Sequence, residues 1–224
     1  MKTCIIPILL LFCLSSCIEI LDDISFNSDG SGVFRYTLNL SSSKLKINSI
    51  LALDSLDGKR VPSKLELQEK VAILVDTLNF QEGISNVMLE EDYENYIFKI
   101  AFDFENSAAL LDAVEVTMNT AGSDPDETEK QYNWMSWDGH VLIRQIPDLS
   151  TFKFRMVKKE DQDLMKNGMY TSISRFVSPV DKIENTAAIL SKNNRAVLLR
   201  NSLFDVFGDP SIMGNRISVK PTDN

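Results

Sequence analysis

Alternating hydrophobic and polar positions mark short strands along the chain. The clearest examples are residues 34–40 and 96–104, where every second side chain is aromatic or aliphatic. Successive side chains of a strand point to opposite faces, so this alternation predicts strands with one buried face. Residues 18–26 and 84–91 alternate more loosely and are separated from these strands by turn-forming residues. The pattern therefore predicts two β-hairpins in the first half of the chain.

Three other stretches predict helices. The first follows the N-cap candidates Ser41, Ser42 and Ser43, and the other two have apolar residues at the spacing of about 3.6 that is typical of an amphipathic helix. They cover residues 44–53, 63–81 and 107–118. The second carries a capping box, in which the side chains of Ser63 and Glu66 each bind the backbone of the other residue. Each predicted helix follows or precedes a hairpin, which gives a ββα order.

A third hairpin is predicted at Asp138-Gly139, a dipeptide that favours a two-residue type I′ turn. Such a turn fixes which residues face each other across the two strands. The predicted pairs are Trp137 with His140, Met135 with Leu142, and Trp134 with Ile143. Further strands are predicted at residues 170–177, 187–190, 196–200 and 216–220.

These elements predict an α+β fold, built on a mainly antiparallel sheet from ββα units with helices packed on one face. Short spacing between elements favours a single globular domain over residues 17–224. The polar stretch 119–130 contains glycine, proline and several acids, which is typical of a long loop. It is the one place where the domain could subdivide.

The first residues of the chain form a secretory leader. Lys2 supplies a positive charge, residues 5–14 are apolar, and the leader closes with Leu14-Ser15-Ser16-Cys17. This string resembles the lipobox of bacterial lipoproteins. The resemblance implies a diacylglyceryl thioether on Cys17, removal of the signal peptide 1–16, and acylation of the new amine, for example by palmitate. It also implies a lipid-anchored protein of the bacterial cell envelope, and we expect the outer membrane.

The alternatives to lipidation are an ordinary cleaved signal and a buried Cys17. A transmembrane helix needs about 20 apolar residues, and this run is shorter. The body also resembles α+β envelope lipoproteins, through a Ser/Gly-turn hairpin after the cysteine and a C-terminal segment at residues 180–203. That likeness implies a similar fold but assigns no function to any residue of this chain.

Composition and charge argue against several classes of function. Hydrophobic residues make up 44% of the chain and charged residues 25%, as in ordinary globular proteins. The net charge of −9 becomes −10 when Lys2 is removed with the leader. An acidic surface repels phosphates, so we expect neither nucleic-acid binding nor adsorption to anionic lipid headgroups. All three cysteines lie at or before Cys17, so the mature body has no disulfide.

The same composition argues against catalysis. His140 is the single histidine, so schemes that need a Ser-His-Asp triad or several histidine ligands lack their residues. Phosphate-binding loops and nucleophile elbows are absent from the sequence. We therefore expect no enzyme activity and no cofactor. The alternative is a hydrolase with paired carboxylates, for which the acidic stretch 90–94 is the candidate.

Two groups of residues remain as candidate sites. Asp124, Asp126, Glu127 and Glu129 concentrate oxygen ligands that a hard cation such as calcium accepts, although their spacing is not that of an EF-hand. We therefore expect a solvated acidic loop and no metal site, with cation binding by these four residues as the alternative. We expect Trp134 and Trp137 to pack in the core and His140 to stack on the Trp137 indole at the edge of the hairpin. The alternative is that these three residues contact a ligand such as a sugar or a peptide.

Together these features predict a non-catalytic binding or assembly module on the cell envelope. The lipid on Cys17 would attach the module to the membrane, and its binding partner would be an envelope protein or a glycan. The alternatives are the hydrolase and a cation-dependent adhesion module.

Overall fold

The computed structural model of the protein describes residues 18–56, 58–120, 134–145 and 165–221. The strands are β1 (Glu19–Phe26), β2 (Gly32–Asn39), β3 (Ser55–Leu56), β4 (Lys59–Arg60), β5 (Ile84–Asp92), β6 (Ile97–Phe104), β7 (Met135–Trp137), β8 (Val141–Arg144), β9 (Met169–Phe176), β10 (Val180–Ile183), β11 (Ile189–Leu190), β12 (Ala196–Ser202) and β13 (Asn215–Val219). The helices are α1 (Lys44–Leu51), α2 (Lys64–Asn79), α3 (Ser107–Thr120) and α4 (Leu203–Gly208).

A seven-stranded sheet forms the larger layer, in the order β11-β12-β9-β1-β2-β6-β5. Neighbouring strands are antiparallel except at the centre, where β1 and β9 run parallel with Asp22 beside Ser172 and Phe26 beside Phe176. The predicted α+β fold with a mainly antiparallel sheet is confirmed. The parallel contact was not predicted, because the two strands are separated by more than half of the chain.

One face of this sheet is buried. Every second residue of β1 from Asp22 onward points inward, as do the matching residues of its neighbours. Helices α2 and α3 cover part of this inner face, and each buries a leucine completely, Leu78 and Leu110. The sheet residues of this part of the core are Ile24, Phe26, Phe34, Phe102 and Phe104.

A second, four-stranded sheet, in the order β10-β13-β8-β7, contributes to the same core. The ring of Trp137 from β7 lies 5.3 Å from the rings of both Phe26 and Phe176, measured between centroids. Leu142 and Ile217 complete the contact from β8 and β13. The two sheets therefore share one hydrophobic core.

The predicted helices agree well with the structure. The capping box is present, because the Ser63 side chain accepts from the Glu66 N–H and Glu66 accepts from the Ser63 N–H. Helix α3 extends to Thr120, so the first residues of the predicted 119–130 loop are helical and the rest lie outside the described residues.

Strand β6 begins one residue later than predicted, since Tyr96 has a φ of +56°. No helix in the described ranges is long and apolar enough to cross a membrane.

The register predicted for the third hairpin is wrong by two residues. The observed pairs are Met135 with Arg144, Ser136 with Ile143, and Trp137 with Leu142. The carboxylate of Asp138 accepts hydrogen bonds from the backbone N–H groups of His140, at 2.9 Å, and Val141, at 2.7 Å. These bonds hold residues 138–141 in a wider loop than a two-residue turn. The shift is even, so each side chain keeps its predicted face.

Gly139 should still be essential for this turn. Its φ is +89°, and a Cβ there would lie 2.9 Å from the Ser28 carbonyl oxygen. We expect Gly139→Ala to lower the free energy of unfolding by about 1–2 kcal/mol, the cost of a left-handed conformation for an ordinary residue. Gly208→Ala is the matched control, because a Cβ there meets nothing within 4 Å. Equal urea midpoints for the two variants would contradict this account.

Candidate functional site

A buried ion pair joins the two sheets. Asp22 of β1 and Arg144 of β8 form two parallel hydrogen bonds of 2.8 Å, from Nη1 to Oδ1 and from Nη2 to Oδ2. Both side chains are nearly inaccessible, with 3% and 5% of their surface exposed. A bidentate carboxylate–guanidinium contact of this kind fixes both distance and orientation.

Strand β9 completes the site with two hydroxyl groups. Because β1 and β9 run parallel with Asp22 beside Ser172, the Ser172 hydroxyl donates to Asp22 Oδ1 at 3.0 Å. The Tyr170 hydroxyl donates to Asp22 Oδ2 and accepts from Arg144 Nη2 at 3.1 Å. Arg144 Nη1 also donates to the Ser172 hydroxyl. We call these four residues the Asp22 cluster.

The surroundings of the Asp22 cluster raise the pKa values of Arg144 and Tyr170. Burial opposes the charge of Arg144, but the carboxylate of Asp22 and the hydroxyl of Tyr170 together hold its pKa above the usual value. Burial and the Asp22 charge raise the pKa of Tyr170 well above that of a free tyrosine. The same two causes raise the pKa of Tyr36, which pairs with Asp22 across β1 and β2, to about 12.

A small cavity lies beside the Asp22 cluster. Its volume is about 10 Å³, roughly the space of one water molecule, whereas small-molecule sites measure about 300 Å³ or more. Arg144 Nε and Asn215 Nδ2 are buried without a hydrogen-bond acceptor among the described residues. The lining residues are Leu142, Arg144, Ser172, Ser174, Val197, Leu199, Asn215 and Ile217.

This arrangement is suited to holding strands together rather than to a reaction. The Asp22 carboxylate is buried and accepts from three side chains of the protein, and Ser172 has no histidine beside it to act as a base. The cavity has no room for an organic substrate. We therefore interpret the Asp22 cluster as a structural link between β1, β8 and β9.

The predicted aromatic site residues have three different environments. Trp137 is buried, and its indole N–H donates to the Asn27 carbonyl at 3.0 Å. Trp134 is half-buried, with Arg144 Cζ 5.6 Å from its ring centroid. His140 is exposed in the turn and, given the corrected register, does not pair with Trp137. A ligand contact by any of the three stays a prediction.

The other predicted site residues lie outside the described part of the chain. This applies to the lipidation residue Cys17 and to the candidate cation ligands Asp124, Asp126, Glu127 and Glu129. Within the described residues, no cluster of three or more acids, histidines or cysteines could hold a metal ion.

The acidic β5–β6 turn, the candidate for a hydrolase, is engaged in local contacts. Glu90 binds Lys99 at 2.7 Å, and Glu91 accepts from the Tyr93 hydroxyl at 2.6 Å. Asp92 accepts from two backbone N–H groups of the turn at 2.9 Å. These contacts use the carboxylates to shape the hairpin.

Sequence reasoning missed the Asp22 cluster. A signal was present, because Asp22 and Arg144 occupy inward positions of alternating strands, two residues from Ile24 and Leu142 respectively. A charged residue at an inward position requires a partner, since an unpaired buried charge is costly. The identity of the partner required the tertiary fold.

Comparison with known proteins gives a fold likeness only. No protein-family model matches the chain, and no curated protein shows significant sequence similarity to it. The folded domain of LppM from Mycobacterium tuberculosis, solved by NMR, aligns with 92% of this chain and 91% of its own, with 12% identity and a TM-score of 0.48. At this TM-score the likeness supports no functional conclusion.

Removing one partner of the buried ion pair should cost much more stability than removing one partner of the exposed pair between Asp23 and Arg175. We expect Asp22→Asn to lower the free energy of unfolding by about 3–5 kcal/mol, because it leaves Arg144 buried without a counter-charge. The matched control is Asp23→Asn, which breaks a 2.8 Å contact to Arg175 on the outer face and should cost about 1 kcal/mol or less. Urea unfolding measures both values.

A double variant tests the origin of that cost. Asp22→Asn combined with Arg144→Met should lose less free energy of unfolding than the sum of the two single changes, since no buried charge remains unpaired. Simple additivity would contradict the interpretation of the cluster as a coupled unit.

Stability should fall at alkaline pH because of Tyr36. Above pH 10 the unfolded chain loses the Tyr36 proton, whereas the folded protein retains it up to a pKa of about 12. Proton loss therefore favours the unfolded state, and the free energy of unfolding decreases as pH rises through this window. Tyr36→Phe should make the decrease less steep, although the raised pKa of Tyr170 leaves part of it. Unfolding midpoints below and above pH 10 measure how stability depends on pH in the wild type and in Tyr36→Phe. The same dependence in both proteins would contradict this account.

Proposed function

We propose that the chain is a lipoprotein of the bacterial cell envelope, anchored through Cys17, whose globular body acts as a non-catalytic binding or assembly module. The observation that carries this proposal is the position of the lipobox relative to the fold. The Ile18 carbonyl already accepts a hydrogen bond from the Met169 N–H at 2.7 Å. The folded body therefore begins one residue after the proposed lipid attachment.

The geometry of the buried polar groups supports a non-catalytic role. The Asp22 cluster is engaged in internal contacts, and the cavity beside it holds about one water molecule. The acids of the β5–β6 turn bind neighbouring donors. A body of this kind acts through its surface, and its partner in the envelope is an envelope protein or a glycan.

The lipid anchor determines the location in this proposal. Two or more acyl chains bind a membrane stably, since each buried methylene contributes about 0.8 kcal/mol. We propose acylation of the Cys17 amine, for example by palmitate, in addition to the thioether-linked diacylglyceryl group. The proposed membrane is the outer membrane, which separation of inner and outer membranes would test.

The decisive experiment is the Cys17→Ala variant expressed with its leader. It should lose the lipid mass and move from the detergent phase to the aqueous phase, because the sulfur is the proposed acylation site. Cys13→Ala is the matched control, since it changes a cysteine inside the leader and should leave the mature protein lipidated. Intact mass spectrometry and detergent partitioning measure both outcomes.

Two results would contradict this proposal. One is a mature wild-type N-terminus at another residue. The other is an unmodified Cys17 in protein isolated from membranes.

A further inference from the structure

The end of the large sheet where β1 begins carries an extension with unusual surface properties. Glu19, the first residue of β1, pairs with Asn39, the last residue of β2, and their side chains share a hydrogen bond of 3.1 Å. The chain that follows β2 therefore leaves from the end at which residue 17 attaches. It forms a short 3-10 turn, helix α1 and the β3–β4 hairpin before α2 begins.

This extension exposes large apolar side chains. Helix α1 contains no buried residue. Leu45 is 80% exposed, and Leu53, Leu56 and Leu65 on the adjoining segments are 47%, 42% and 63% exposed. Single exposed leucines are common on proteins, but several on one end of a domain indicate an interaction surface.

The charge of the same region differs from that of the whole protein. Residues 41–64 carry five lysines and arginines against two aspartates, whereas the chain has a net charge of −9. Lys44 and Lys46 flank Leu45, and residues 30–53 contain no acid at all. Arg60 is partly neutralised by Glu66, at 2.7 Å. The ammonium group of Lys44 donates to Asn95 Oδ1 at 3.3 Å, so the exposed leucines, and not the cations, are what this region offers to a bilayer.

The tether is too short to hold this surface away from a bilayer. A residue spans at most about 3.6 Å, so Glu19 lies within roughly 7 Å of the residue that would carry the lipid. From Asn39 to Leu45 the chain covers six residues, which limits their separation to about 22 Å. An anchored protein thus holds this end of the sheet against the lipid surface.

We infer that residues 41–56 form a membrane-contacting surface, with Leu45 seated in the interface of the anionic bilayer that holds the lipid anchor. This inference rests on the proposed lipidation of Cys17. An acidic protein can meet lipid in this way, because exposed leucines enter the apolar part of the interface whatever the total charge.

The acidic β5–β6 turn lies at the same end of the sheet and influences the orientation. Lys44 Nζ lies 3.3 Å from Asn95 Oδ1 of this turn, and its charge contributes to a lowered pKa of Asp92, after the hydrogen bonds from Asn95 and Glu94. The β5 edge is repelled by phosphate. The protein therefore tilts so that α1, rather than the β5 edge, meets the lipid.

The test uses lipidated full-length protein, purified from membranes and reconstituted in phosphatidylethanolamine–phosphatidylglycerol vesicles. Because the mature body has no cysteine besides Cys17, Leu45→Cys and Leu53→Cys each provide one reactive thiol for a polarity-sensitive fluorophore. Phe80→Cys is the matched control, since Phe80 is 90% exposed. It lies shortly before Ile84, the first residue of β5, which is at the opposite end of the sheet. Nitroxide-bearing acyl chains in the vesicles serve as quenchers.

The expected result is a blue-shifted label at residues 45 and 53 that lipid nitroxide quenches several-fold more strongly than the label at residue 80. Equal quenching at all three positions would overturn the inference. So would a blue shift without quenching, which indicates a protein cover, such as a second copy of this chain. The intact mass of the same sample distinguishes failure of the proposed lipidation from failure of the proposed membrane contact. A missing lipid would overturn the proposed function and this inference together, whereas an unquenched label on lipidated protein would overturn this inference alone.

Discussion

The buried contact between Asp22 and Arg144 connects parts of the chain that are 122 residues apart. It joins the centre of the seven-stranded sheet to β8 of the smaller sheet, and Tyr170 and Ser172 bring in β9. Such a pair is weak evidence for net stability, because desolvation offsets the attraction between the charges. Its value here is specificity. The parallel alignment of β1 with β9 places the Tyr170 and Ser172 hydroxyls on the Asp22 carboxylate, and we expect a shifted alignment to remove these contacts.

Much of the fold could be predicted from local patterns. The 3.6-residue spacing predicted α2, and its capping box is present. Alternation predicted β1, β2 and β6, because one face of each contributes buried residues to the core, and it predicted β5, which has no fully buried residue, from a looser pattern. The candidate site was harder to predict. Asp22 stands at an inward position of the alternating pattern of β1, but its partner Arg144 lies in a distant hairpin. Only tertiary contacts bring the two residues together.

The errors have identifiable physical causes. The dipeptide Asp138-Gly139 predicted a two-residue turn, but Asp138 binds two backbone N–H groups and widens the loop. The parallel β1–β9 contact was not predicted, because strand propensity says nothing about a neighbour so far away in sequence. In both cases a side chain or a long-range contact outweighed the local pattern. Trp137 illustrates the same point, since a tryptophan near a turn packs on Phe26 and Phe176.

Net charge is a poor guide when charges are unevenly distributed along a chain. The total of −9 predicts repulsion from anionic lipid, yet residues 30–53 contain no acid. Screening in physiological salt limits electrostatic interactions to about 8 Å, so a headgroup responds to the nearest side chains and not to the whole protein. The proposed lipid on Cys17 would bring α1 near the headgroups together with its acidic neighbours, Glu19 and the β5–β6 turn beside Lys44. Local charge and exposed leucines, not total charge, then determine how the anchored body meets the membrane.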